Sequence, residues 1–284
     1  MKNKFLLRLS LTHGIGAFGK DRIYQFAKRH QWWQFDSLEI RLLAQTTKPN
    51  DWNEWTEERL QEIEASHQYL TIEDPLYPEA LRHVPTPPLV LFYKGDLALL
   101  KGELLAVVGA RDATQYGYLV LQELMPTLTK RGFIIVSGLA KGIDSFAHQF
   151  AISNQGKTIG VVGTGLDICY PKVSGNLQIE MSRHQLVLSE YPNGTPPAKF
   201  HFPMRNRIIA GLSSGVLVIE AKKRSGSLIT AQQALDYGKE VFVVPGSILD
   251  GRSSGCHQLI QDGAICVEKT KDIFDPYDLL NKIH

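Results

Sequence analysis

From residue 104 onward, short apolar runs alternate with longer stretches whose apolar positions recur at helical spacing. The runs fall at 104–108, 133–137, 158–163, 186–189, 215–220 and 240–244. Strands that alternate with helices pair in parallel through crossovers, so the pattern predicts an α/β fold built on a doubly wound, mostly parallel sheet. The runs "LLAVV", "FIIVS", "GVLVIE" and "VFVVP" are nearly continuous in aliphatic residues, as required when helices cover both faces of a sheet. The first hundred residues differ. They carry helical patterns near 18–30 and 55–68, adjacent tryptophans at Trp32 and Trp33, and no strand of comparable strength. A small helical domain over 1–70 is expected, then a connector over 71–100 that begins the sheet domain, then the sheet domain proper over 101–284. The connector segment "DPLYPEALRHVPTPPLVLFYKGD" (74–96) is rich in proline yet too apolar for a loose linker, so it is expected to pack and to end in a strand.

Composition narrows the function only slightly. The chain has 284 residues, 43% of them hydrophobic, which supports a sizeable core and more than one domain. Its 31 basic and 29 acidic residues leave a formal charge of +2, so any anion-binding surface has to be local. The opening "MKNKFLLRLSL" resembles a secretion signal until Arg8 interrupts it, and no stretch approaches a membrane span. Cys169, Cys256 and Cys266 are odd in number and widely spaced, which suggests neither a disulfide framework nor a zinc site. A reducing cytoplasm is the expected setting. "THGIGAFG" (12–19) reads as a turn between two helices, although such glycine turns also meet phosphates in helix-hairpin-helix units.

The chemistry should sit beyond the carboxyl ends of the parallel strands. There the chain reads "VGAR" (108–111), "SGLAKGID" (137–144), "GTGLDICYPK" (163–172), "SEYPNGTPPAKFHFPMRNR" (189–207) and "EAKKRSGSLIT" (220–230). Glycines let a ligand approach the backbone, and amides at helix N-termini receive anions. Any one glycine loop is unremarkable in an α/β fold. The set is more telling, because Arg111, Lys141, Lys172, Lys199, Arg205 and Arg224 come with it. Enzymatic motifs fail on context: "GTGLDI" lacks the third glycine of a dinucleotide fingerprint, "GLSSG" (211–215) leaves a helix and enters a strand, and no P-loop is present. No histidine cluster suggests a metal, and His148 reads as a local partner of Asp144. Residues 199–224 hold Lys199, Arg205, Arg207, Lys222, Lys223 and Arg224 against Glu220 alone. With Phe200 and Phe202 available to stack, that excess suits single-stranded nucleic acid. The other reading puts both rings in the core and the cations on a solvated face.

These loops, in this order, resemble the DNA-processing protein A (DprA, also called Smf) family over roughly residues 70 to 270. The match also includes "YG" (116–117), "EAKKRSGSLITAQQALDYGKEVFVVPG" (220–246) and "GCHQLIQDGA" (255–264). The resemblance implies an extended Rossmann-like fold with an N-terminal domain similar to sterile-alpha-motif folds. It implies a homodimer that binds single-stranded DNA without an enzymatic step or cofactor. Such a protein would protect incoming DNA in natural transformation and load a RecA-type recombinase while displacing single-strand-binding protein. By position, Arg111, Lys172, Lys199, Phe202 and Arg205 would hold DNA, with Lys141 among the loop cations. Ser225, Ser227 and the amides around Gly138 and Gly165 would meet phosphates, and His257 and Ile260 would lie in the dimer contact.

This chain has Ala110 where many members of the family have serine, and longer members carry a C-terminal winged-helix-like domain not expected here. The rival is a nucleotide-cleaving phosphoribohydrolase on a related fold. Its catalytic glutamate has no counterpart in "SGSLITAQQA", and release of base from a nucleoside monophosphate separates the two readings.

Overall fold

The computed structural model describes residues 1–280; residues 281–284, the end of the expected sheet domain, lie outside the described residues. The chain divides into two compact units, one of residues 1–93 with 164–168 and 189–196, the other of 94–163, 169–188 and 197–284. Among the described residues no helix is long and apolar enough to cross a membrane.

The first unit contains helices α1 (Lys2–Leu11), α2 (Ala17–His30), α3 (Ser37–Ala44), α4 (Glu57–Ser66) and α5 (Glu79–Arg82). Strand β1 (Tyr69–Thr71) pairs antiparallel with β2 (Val90–Gly95). Helix α1 buries Phe5, Leu6, Leu7, Leu9 and Leu11. Phe5 meets Trp33 and Trp52 edge-on at 5.6 and 6.0 Å, and the Arg8 guanidinium lies 4.0 Å over the Trp52 ring while donating to Trp52 O at 2.8 Å. Asp36 starts α3 with a reciprocal capping box to Glu39. In the glycine turn, Gly14 has φ +81° and packs against the Pro49 carbonyl, so its conformation and clearance both call for glycine.

The second unit contains β3 (Leu104–Val108), β4 (Ile134–Ser137), β5 (Thr158–Val162), β6 (Leu186–Ser189), β7 (Gly215–Val218), β8 (Glu240–Val243) and β9 (Ile265–Cys266). Their order in the sheet is β6-β5-β4-β3-β7-β8-β9, and the pairs β3–β4, β4–β5, β3–β7, β7–β8 and β8–β9 are parallel. The expected α/β class and doubly wound, Rossmann-like sheet are therefore present. Every residue of β3 to β7 is buried, which accounts for the continuous aliphatic runs.

The helices of this unit are α6 (Gln115–Lys130), α7 (Ile143–Ser153), α8 (Gly175–His184), α9 (His201–Leu212), α10 (Gly226–Asp236), α11 (Ser254–Gln261) and α12 (Lys271–Leu280). Leu121, Met125 and Leu128 of α6, Ala147 and Ala151 of α7 and Ile273 of α12 pack on Leu105, Val107, Ile135, Leu217 and Phe242. Because side chains alternate along a strand, the other face is left for α9 and α10, which pack on each other and on β3–β5 and β7–β8 respectively.

Candidate nucleic-acid interface

Strands β3 to β6 step outward in one direction, and β7 starts again on the other side of β3. The loops after β3 and β7 therefore diverge, and a crevice opens at the carboxyl edge between them. A concavity of about 660 Å³ occupies this place. The β3–α6 loop supplies Arg111 and Asp112, α9 and its approach supply Lys199, Phe202 and Arg205, and the start of α10 supplies Ser225, Gly226 and Ser227. Six of the expected contact residues thus meet there: Arg111, Lys199, Phe202, Arg205, Ser225 and Ser227.

Phe202 is half-buried. The Arg111 guanidinium lies 5.6 Å from its centroid, and the exposed Tyr170 ring tilts against it at 5.6 Å. Phe200, next but one in sequence, is 68% exposed, so neither ring is fully in the core. Ser225 precedes the first residue of α10, and its hydroxyl is 2.9 Å from that of Ser227. N–H groups in the first turn of a helix have no intrahelical acceptor, so this terminus faces the concavity with donors. Ala110 sits in a tight turn: its carbonyl accepts the Ile143 N–H at 3.1 Å, and Gly142, at φ +84°, passes close against it.

The remaining expected residues lie elsewhere. Lys141 is exposed in a neighbouring concavity of about 350 Å³ that shares Arg111. Lys172 is exposed at the start of a short 3-10 turn, Lys172–Ser174, and lines neither space. Gly165 belongs to the first unit, where its amide donates to Thr195 O and a side chain would strike Pro192 and Asn193. Gly138 is buried under the Arg205 guanidinium, so its lack of a side chain makes room for that group. On α11, Ile260 is half-buried and His257 Nε2 lies 2.9 Å from Gly246 O.

A solvated face for all the cations is not what the structure shows. Arg205 is 5% and Arg207 3% exposed, and Arg205 donates to Val161 O at 2.7 Å beside the buried Asp144. Burial pushes the Asp144 carboxyl upward, and the Arg205 charge opposes that shift. Lys222 is held by Asp112 at 3.0 Å, with Arg252 on the same carboxylate at 3.1 Å, and these cations hold Asp112 below its ordinary range. Lys199, Lys223 and Arg224 remain as the exposed cations of 199–224 outside the Asp112 pair.

His148 also differs from expectation, because its Nδ1 pairs with Thr158 Oγ1 at 2.6 Å and not with Asp144. Sequence reasoning missed Asp112, whose carboxylate answers two cations from distant loops. It also missed Tyr170 as a neighbour of Phe202.

The DNA recombination-mediator protein A family model matches residues 68–278. The chain belongs to this family. A DNA processing protein DprA of Streptococcus pneumoniae is 51% identical over 208 residues, 73% of each chain, and one of Bacillus subtilis is 47% identical over 207 residues, 72% of this chain and 70% of that one. The X-ray structure of DNA processing protein A from Streptococcus pneumoniae superposes with a TM-score of 0.89 at 40% identity, covering 96% of this chain and 97% of the other. A structure on the single-stranded DNA binding mode of DNA processing protein A from Helicobacter pylori matches at TM-score 0.67 and 32% identity, over 77% of this chain and 98% of that one. The DprA family thus accounts for the loop motifs and the fold together.

Proposed function

We propose that the chain binds single-stranded DNA in the crevice between the β3 and β7 loops and acts as a recombination mediator in natural transformation. The observation that carries this reading is the meeting of Arg111 and Lys199, the half-buried Phe202 ring and the α10 N-terminus in one concavity at the point where strand order reverses. Cations and first-turn amides suit phosphates, while an accessible ring suits an unpaired base, whose face a duplex would hide. The relative from Helicobacter pylori, described for its single-stranded DNA binding, supports the same ligand class. We extend the reading to loading of a RecA-type recombinase with displacement of single-strand-binding protein, in a cytoplasmic homodimer joined through α11 near Ile260. No chemical step is part of it. Asp144 lines the concavity but is buried beside Arg205, and release of free base from a nucleoside monophosphate would overturn the binding-only account.

Fluorescence anisotropy over a salt series tests the reading. Single-stranded oligonucleotides should bind in preference to duplexes of equal length. Lys199→Ala and Arg111→Ala should each weaken binding to all sequences alike and lower the salt slope by about one phosphate contact. In the same assay Phe202→Ala should cost roughly 1–3 kcal/mol of binding. A melting curve alongside separates lost stacking from lost packing. Unchanged slopes and affinities would place the DNA elsewhere.

A further inference from the structure

Three loops of the second unit meet at one carboxylate. Asp112 lies in the β3–α6 loop and lines both the first concavity and the neighbouring one that holds Lys141. Its Oδ2 accepts from Lys222 Nζ at 3.0 Å and from Arg252 Nη1 at 3.1 Å, and its backbone oxygen accepts from the same Arg252 nitrogen at 3.1 Å. Lys222 belongs to the loop after β7 and lines the first concavity, whereas Arg252 lies just before α11 and lines a third space of about 450 Å³. All three side chains are open to solvent, Asp112 at 63%, Lys222 at 48% and Arg252 at 37% exposure.

The backbone around them is fixed. Glu220 Oε2 accepts the Thr114 N–H and hydroxyl at 3.0 Å, which ties the β3–α6 loop to the end of β7. The Gly255 N–H donates to Ala221 O at 2.8 Å and the Lys223 N–H to Ser254 Oγ at 3.3 Å, which ties the start of α11 to the loop after β7. Lys222 and Arg252 therefore stay neighbours when the Asp112 side chain turns away. A turn closed by the Ser225 N–H on Lys222 O, at 3.2 Å, leads directly into α10, so the pair stands next to the first-turn amides of that helix.

An exposed carboxylate shared by two cations from separate loops marks a position that fits other oxyanions, and a phosphodiester oxygen accepts from the same donors. In the lining of the first concavity Asp144 is set against Arg205 and Asp112 against Lys222, so Arg111 and Lys199 carry the remaining positive charge. A carboxylate in that place works against a polyanion. It competes for two donors and adds like charge beside an incoming phosphate.

We propose that Lys222 and Arg252 form a further phosphate subsite, which the Asp112 carboxylate fills until a DNA phosphate takes its place. The proposal rests on the single-stranded DNA reading above and adds two contact residues and a built-in competitor to it. Exchange of one anion for another keeps the grip on the strand below its maximum, which suits a protein that must hand the strand on.

Salt-series anisotropy with oligo-dT on the full chain tests this. Asp112→Asn should tighten binding about tenfold, the worth of one charge-assisted contact relieved of its competitor. Lys222→Ala combined with Arg252→Ala should weaken binding and lower the salt slope by about one phosphate contact. In that double background Asp112→Asn should change affinity by about twofold at most, because the donors it frees are gone. The side chains are exposed, so melting temperatures should stay near that of the wild type, and Asp112→Ser, which also removes the charge, serves if Asp112→Asn melts early. Binding by the charge-removed variant no tighter than wild type, an unchanged slope in the double variant, or an equal gain in both backgrounds, as a long-range field would produce, would overturn the exchange and leave DNA binding standing. Failure of the wild type to bind single strands at all would overturn the functional reading beneath it.

Discussion

Arg205→Leu should destabilise the fold by about 3–5 kcal/mol, the usual consequence of removing one partner from a buried charge pair. The guanidinium is packed over Gly138, donates to Val161 O at 2.7 Å and lies against Asp144, itself 8% exposed. Without it, Asp144 must keep an uncompensated charge in the interior or take up a proton, and the Val161 carbonyl loses its side-chain donor. Asp144→Leu should cost a similar amount, because it strands the cation instead. The double variant should cost much less than the two added together, since neither charge is then left alone. Urea denaturation of the four proteins reads this directly. Single variants within about 1 kcal/mol of wild type, in the range typical of exposed pairs, would show that the pair does not hold the strand ends together.

Acid should act strongly on the same region through His148. The Thr158 hydroxyl donates to Ile135 O at 2.7 Å, so its oxygen receives the His148 Nδ1 proton at 2.6 Å and leaves Nε2 bare and buried. Burial, with the charge of Arg205 adding to it, pushes the imidazole pKa down from 6.5 to about 3. The unfolded chain therefore binds this proton more readily than the folded one. The stability contributed by the neutral ring is complete above about pH 6.5 and is lost as pH falls toward 3, at roughly 1.4 kcal/mol per pH unit. Carboxylates titrate in part of the same window, so the comparison is with His148→Gln, which can still donate to Thr158. Between pH 6 and 4 the wild type should lose stability more steeply than the variant by about that slope. Parallel profiles would mean that the histidine is charged in the folded protein or absent from the linkage.

The sheet was legible because burial on both faces writes itself into sequence as unbroken aliphatic runs. The expected runs at 104–108 and 186–189 coincide with β3 and β6, and the others differ by one or two residues at an end. β1 and β9, with three and two residues, are too short to leave such a trace. Cations were legible as types but not as environments. Arg205 and Arg207 sit on a helix among polar neighbours and read as surface residues, yet both are buried. What decides this for Arg205 is Asp144, at the start of α7, brought close through the sheet and far away in sequence. His148 was misassigned for the same reason: a helical neighbour is visible in one dimension, whereas Thr158 on β5 is not. Glu220 was counted only as a lone acid within a basic stretch, while its relation to Thr114 depends on β3 and β7 lying side by side.

The lack of any side chain at Gly138 separates two kinds of position around the crevice. Any residue placed there displaces the guanidinium of Arg205, which in turn leaves Asp144 without its counter-charge, so these three sites can change only as a group. Lys141, Lys199 and Arg224 on loops and Lys172 on its 3-10 turn are exposed and carry no such obligation. A library meant to retune affinity or salt tolerance should therefore hold 138, 144 and 205 constant and randomise the four lysine and arginine positions. Variants from that library would differ in how they grip a ligand while sharing one scaffold, whereas diversity at the triad would be spent on proteins of lowered stability.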